Sequence, residues 1–403
     1  MKIQTSFGEV HVLTNCPLLN STETLEWMTE VHESFDGSEE RYPLRDAPRQ
    51  YLNFNYTEMR KAMGDLFHML YANLRKQWGI PLRQVKRTIS DMADSDYVVL
   101  DAADTIADLR VGFAFIESDE GDQVVEIIER GRYIIIQEEI RDPETDEVIQ
   151  PLITEYQDGF RLSAPVTATN AVVMPLRICV IDGDASINAG GFWSNASVVF
   201  RVLAEDLPEF EAEAPEQYKN QDIYWKPLLL DGDSLEMMLT QHQNIIDGDV
   251  GGFQWYSHHA KPRYTKPFRS LLRSWYEYQA YKHFLYRRAG RFREFWMPLY
   301  EQHLSVLNTA NINNVLNVDT SYIVEVDRKH IAVKRKNGTW TAHTITAKTG
   351  GSLTVSPAIN AQRKDIESIY YLGLYRFDAD RIEFQFLGAG KTRVTVPIVE
   401  IDN

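Results

Sequence analysis

The sequence predicts an α+β fold of two similar modules, each a short helical segment with a long helix followed by a β-rich, sandwich- or barrel-like part. Three observations lead there. Landmarks recur in order: Pro17-Leu-Leu and Pro227-Leu-Leu, Asp36-Gly37 and Asp247-Gly248, Pro48-Arg49 and Pro262-Arg263, Phe54 and Phe268. Their spacing drifts slowly, with 227 − 17 = 210 at the prolines, 247 − 36 = 211 at the Asp-Gly pairs and 263 − 49 = 214 at the Pro-Arg pairs, as small insertions in a duplicated unit would produce. Each set of landmarks is followed by a run of helical period and then by short alternating runs divided by Asp and Gly.

Residues 1–14 read as a strand or hairpin. Thr22 and Thr24 are candidate N-caps of a short helix, with Glu23, Glu26 and Glu30 suiting its N-terminal dipole and Trp27, Met28 and Val31 forming its buried stripe. Ser34-Phe-Asp-Gly-Ser is a turn, and Tyr51 to Tyr56 alternates like a half-buried strand. From Met59 to Gln77, the residues Met63, Leu66, Phe67, Leu70 and Leu74 recur at three and four, predicting a long helix that ends before Gly79 and Pro81. Phe268 to Arg288 predicts its counterpart, with Leu272, Trp275, Tyr276, Phe284 and Leu285 inward and a close at Ala289-Gly290. Trp296 and Pro298 answer Trp78 and Pro81, at 296 − 78 = 218 and 298 − 81 = 217.

The expected strands of the first β part are Tyr97 to Leu100, Val111 to Ile116, Val124 to Ile128 and Tyr133 to Ile140, with a polar hairpin tip at 141–148. Those of the second are Tyr322 to Val326, Ile331 to Lys334, Trp340 to Thr346 and Leu353 to Val355, with a turn at Lys336-Asn-Gly-Thr. Both parts close alike: Met174 to Ile181 and Val198 to Val202 answer Ser368 to Phe377 and Thr392 to Val396. Clustered acids with two prolines mark a linker, so the modules are 1–206 and 223–403, joined by an acidic Pro-containing segment at 207–222.

A chain of 403 residues with 44% hydrophobic and 25% charged residues is of ordinary globular composition, and its net charge of −16 disfavours a broad nucleic-acid footprint. One tract departs from that average, the cations from Lys261 to Arg293 being interleaved with Tyr, Trp and Phe. As a structural helix this tract buries its rings and pairs its cations with the acidic remainder; as a nucleic-acid surface it would stack bases, the less favoured reading. No run reaches the roughly 18 apolar residues of a membrane helix, and the N-terminus lacks a signal-peptide core, so a protein made in the cytoplasm is expected. Cys16 and Cys179 read as buried free thiols.

The sequence carries no recognisable constellation for chemistry. The Asp-Gly-Asp tripeptides at 182–184, 231–233 and 247–249 do not continue into a calcium loop and read as turns. The adjacent His258-His259 diverge and have no ligand-spaced partner. No nucleophile elbow, phosphate loop or dinucleotide fingerprint occurs, so no enzyme, cofactor or metal is expected. The abundance of Tyr and Trp leaves a glycan-binding or glycan-degrading β-rich protein as the alternative, although these rings follow helix and strand periods.

The pattern Trp27-x3-Val31-x2-Ser34-x2-Gly37-x-Glu39-x-Arg41, followed by Arg45-x2-Pro48-Arg49, is similar to distal-tail and tail-tip (baseplate-type) structural proteins of long-tailed bacteriophages. Arg291-Phe-Arg-Glu-Phe-Trp-Met-Pro-Leu resembles the same family. The resemblance covers about a third of the chain and implies a non-catalytic virion protein that forms a ring by self-association. The ring would sit on the tail tube protein and connect to hub or fibre proteins. Two modules per chain would give a trimer with pseudo-sixfold symmetry, or a hexamer with twelve modules. Arg41, Arg45, Arg49 and Arg263 are then candidate carboxylate anchors at interfaces, with Trp27 and Trp296 as further candidate interface residues.

Overall fold

The computed structural model describes the chain apart from residues 6–7, 35, 100–108, 138–139, 142–147, 151–152, 205–215, 230–235, 242, 258–261, 320–327, 389 and 402–403, and apart from the side chains of 132–158 and 302. Much of the expected linker, the strand at 322–326, the hairpin tip near 142–147, the Asp-Gly-Asp at 231–233 and the paired histidines at 258–259 therefore lie outside the described residues.

Strands dominate the remainder. Among the described residues there are two α-helices, α1 (Arg60–Asn73) and α2 (Trp275–Arg288), each of 14 residues, against one large and nearly all antiparallel sheet system. The α+β expectation gives way to a mostly β fold. The short helix expected from Thr22 is a strand, Thr22–Glu26, hydrogen-bonded on one side to Arg49–Met59 and on the other to Arg381–Gly388. Two ladder partners outweigh a local capping signal. The next stretch is a hairpin of Thr29–Glu33 and Glu39–Pro43.

Both long helices are shorter than their periodicity predicts. Met59 ends the strand Arg49–Met59, and the chain leaves α1 by Asn73 instead of Gln77. Phe268 and Leu272, four apart, fit a helix, but four is also a multiple of the strand period of two. They lie on the alternating inner face of the strand Arg263–Leu272. α2 starts only after Ser274, whose side chain accepts the Glu277 N–H at 3.2 Å. It stops at Ala289, left-handed at φ 51°, whose N–H reaches the Leu285 carbonyl at 2.8 Å.

One order of pairing occurs twice. In the first half Arg49–Met59 pairs with Trp193–Val202, which pairs with Val172–Ile181, which pairs with Gln77–Pro81. In the second, Arg263–Leu272 pairs with Lys391–Glu400, then Ile366–Phe377, then Phe295–His303. Parallel contacts among the described residues fall at two corresponding places, Val12 on Gly79 and Ile223 on Trp296.

Register sharpens the match between halves. Leu25 faces Gln50 where Leu239 faces Tyr264, and Val31 faces Arg41 where Ile245 faces Trp255, so 239 − 25 = 214 and 245 − 31 = 214. The spacing of 214 therefore holds from the strand Thr22–Glu26 through the hairpin. By this register Gly251 (φ +133°), not Gly248, answers Gly37 (φ +89°). Cys179 faces Trp78 where Tyr375 faces Phe295, so Phe295 takes the place of Trp78 and 298 − 81 = 217 holds along the whole strand. A single hydrophobic core runs through both halves, joining Leu25, Phe54 and Trp78 to Phe268, Phe377 and Phe384. A smaller core, with Val98, Phe160 and Val173, lies under the β-rich insertion of the first half.

Candidate interaction surface

The halves meet across the strand Thr22–Glu26, and buried charge sits at that seam. Glu23 accepts from Lys282 Nζ at 2.9 Å and from Gln50 Nε2 at 2.8 Å, and its second oxygen accepts from the Tyr278 hydroxyl. Both charged groups are removed from water, so each depends on the other. Lys282 and Tyr278 project from α2 in the second half, whereas Glu23 and Gln50 belong to the first.

The first hairpin extends the seam. Glu39 takes a bidentate contact from Arg376, 2.7 Å at Nε and 2.8 Å at Nη2, and a further bond from Arg263, which also reaches Glu33 at 2.9 Å. Burial alone would raise the Glu39 carboxyl, but the hydrogen bond and charge of Arg376, with Arg263 behind them, hold it below its ordinary value. Arg41 bonds the Phe292 carbonyl at 2.9 Å and Glu294 at 2.7 Å. Asp380 accepts from the Thr29 N–H at 2.7 Å, the Thr29 hydroxyl at 3.0 Å and the Arg291 N–H at 3.0 Å. Trp27 lies edge-on to Tyr286, 6.1 Å between centroids, and its Cβ would be only 3.0 Å from any Cβ at Gly290, so the close approach requires glycine there.

Of the residues singled out from the sequence, Arg41, Arg263 and Trp27 come together at this seam. Arg45 binds the Glu26 carbonyl at 3.3 Å, and Arg49 lies opposite Glu26 in the ladder. Trp296 sits apart, in a small core with Ile223, 5.4 Å from the Tyr218 ring and 4.8 Å from His330. Burial, reinforced by Lys219 and Lys329, lowers His330 to about 4 and so keeps it neutral at pH 7. The sequence alone assigns no role at this seam to Glu23, Lys282, Arg376 or Asp380. Their signal is weak: a charged residue at an inward position of an otherwise apolar or alternating run.

Many cations of the basic tract are paired inside the chain: Lys266 with Glu301 at 2.9 Å, Arg287 and Arg288 with Asp222 at 2.9 and 2.8 Å, Arg291 with Asp378 at 3.5 Å. Among the described residues no group of three or more His, Cys, Asp or Glu is placed to hold a metal, and no helix is long and apolar enough to cross a membrane. Cys179 is buried, but Cys16 is exposed, contrary to expectation.

Large apolar side chains gather instead on open surface. The second hairpin, Asn244–Ile246 with Gln254–Tyr256, shows Ile245, Ile246, Phe253 and Trp255, the last two each 62% exposed. Met237, Met238 and Leu239 are exposed beside it. On the first half, α1 exposes Phe67 and Tyr71, stacked at 21° with centroids 6.1 Å apart. Exposed apolar groups in this density mark contact surface. No family model matches the chain, and no curated protein matches it.

Proposed function

We propose that the chain is a structural subunit of the distal end of a long bacteriophage tail, where copies associate into a ring on the tail tube and connect it to hub or fibre proteins. The observation that carries this reading is the repeated order of strand pairing, with one half seated on the other across a continuous ladder and apolar surface left open on both halves. A unit that can receive on one side what it offers on the other propagates head to tail and closes when the rotation permits. The resemblance of the 27–49 segment to tail-tip proteins supplies the setting. Three copies would supply six halves around the tail axis, and six copies twelve.

Electron microscopy of phage particles decorated with an antibody against this chain tests the setting. Label confined to the tail tip is expected; label on the capsid, or particles without it, would overturn the assignment.

A further inference from the structure

We infer that the second hairpin and the edge strand Met238–Thr240 of one copy dock on the first half of another copy. They do so in the place and register that the first hairpin and Thr22–Glu26 occupy on the second half within the chain. This rests on the self-association in the reading above and names its surfaces.

Correspondence between the halves shows what each docking residue becomes. With the spacing of 214, Glu39 and Arg41 become Phe253 and Trp255, and Glu23 becomes Met237. On the receiving side, Arg376 faces Val399 where Val180 faces Arg201, so Arg376 becomes Val180; Glu294, one residue before Phe295, becomes Gln77. The buried faces of the helices align Met63, Leu66, Leu70 and Asn73 with Tyr278, Tyr281, Leu285 and Arg288, so Lys282 becomes Phe67 and Tyr286 becomes Tyr71. Both sides change together. The salt bridge Glu23–Lys282 is replaced by Met237 and Phe67, and the Glu39–Arg376 and Arg41–Glu294 pairs by Phe253 with Val180 and Trp255 with Gln77. An unrelated apolar patch would alter one side only.

Among the described residues the ladders are open at the matching edges. Arg381–Gly388 pairs with Lys391–Glu400 on one side and with Thr22–Glu26 on the other. Among the described residues its counterpart Ser186–Asn188 pairs with Trp193–Val202 alone and Met238–Thr240 with Arg263–Leu272 alone. An unpaired strand edge recruits another strand. Thr24 faces Glu383 within the chain, which places Met238 opposite Ser186 of the next copy. The contact is heterologous, so each copy uses two different surfaces.

The test uses the full-length chain with Cys16→Ser, carrying Met238→Cys, Ser186→Cys or both, and a short bis-maleimide. The double variant should give a covalent ladder of oligomers and each single variant none. In parallel, Trp255→Asp and Phe67→Asp should each raise the concentration of half-assembly at least tenfold in mass photometry, with an unchanged circular-dichroism melt. If the wild type assembles, both variants assemble as it does and the double-cysteine chain yields no ladder, the docking mode is wrong while self-association stands. A wild type that stays monomeric at every concentration overturns both.

Discussion

The two helices have the same length and the same place in their halves, yet they meet opposite surroundings. Tyr286 on α2 is 8% exposed because the first half covers it with Trp27, whereas its counterpart Tyr71 on α1 is 80% exposed. The covered helix carries Lys282 against Glu23; the uncovered one carries Phe67. The difference teaches where chemistry is placed. A junction made once, within a chain at high effective concentration, can use buried ion pairs that add little net stability but enforce register. A junction between chains needs a driving force from burial of apolar surface, which is what aromatic side chains provide.

Breaking the inner seam should have the largest effect. Glu23→Met leaves Lys282 buried without its carboxylate and should lower the stability of the chain by about 3–5 kcal/mol, read as a shift of the urea midpoint. Adding Lys282→Met should recover most of that loss, since an apolar pair serves the corresponding place on the surface. A double variant no more stable than the single one would show that the seam is not interchangeable with an apolar contact.

Arg376→Met should cost less, about 2–3 kcal/mol, because Arg263 remains on Glu39. Acid separates the two kinds of junction. The Glu39 carboxyl is held below its ordinary value, so its stabilisation is complete above the ordinary carboxylate range and is lost as pH falls through the lower folded value. The protection factors of the amides of Thr29–Glu33, taken relative to the intrinsic exchange rate at each pH, should accordingly fall on acidification below the ordinary carboxylate range in the wild type and less in Glu39→Gln. An equal loss of protection in both would remove Glu39 from the account. Smallest of all, Phe67→Asp should leave the stability of the isolated chain within about 0.5 kcal/mol of the wild type, since the site faces solvent.

Legibility in the sequence followed the kind of signal. Met63, Leu66 and Leu70 gave the position of α1, and Ala289-Gly290 the end of α2. The start of α2 was misread because Phe268 and Leu272 satisfy both periods, and the strand Thr22–Glu26 because its burial comes from partners hundreds of residues away. Landmark matching by residue identity drifted from 210 to 218, while pairing register keeps 214 through the first hairpin and 217 on the strand after the helix. The register matters for the candidate site: only with Trp255 set against Arg41, and Phe67 against Lys282, does the exchange of charged for apolar contacts become visible. Arg41 and Arg263 bind carboxylates within the chain, but these carboxylates, Glu294 for the first and Glu33 and Glu39 for the second, lie far along the sequence and only the fold brings them near.

Mass photometry of the purified full-length chain over a wide range of concentration, joined to class averages of the same sample by electron microscopy, tests the central claim most directly. The account predicts one discrete ring whose mass is a whole number of chains and whose projection shows twice that number of similar lobes. A monomer at all concentrations, or a two-fold dimer that buries one surface against itself, would contradict it.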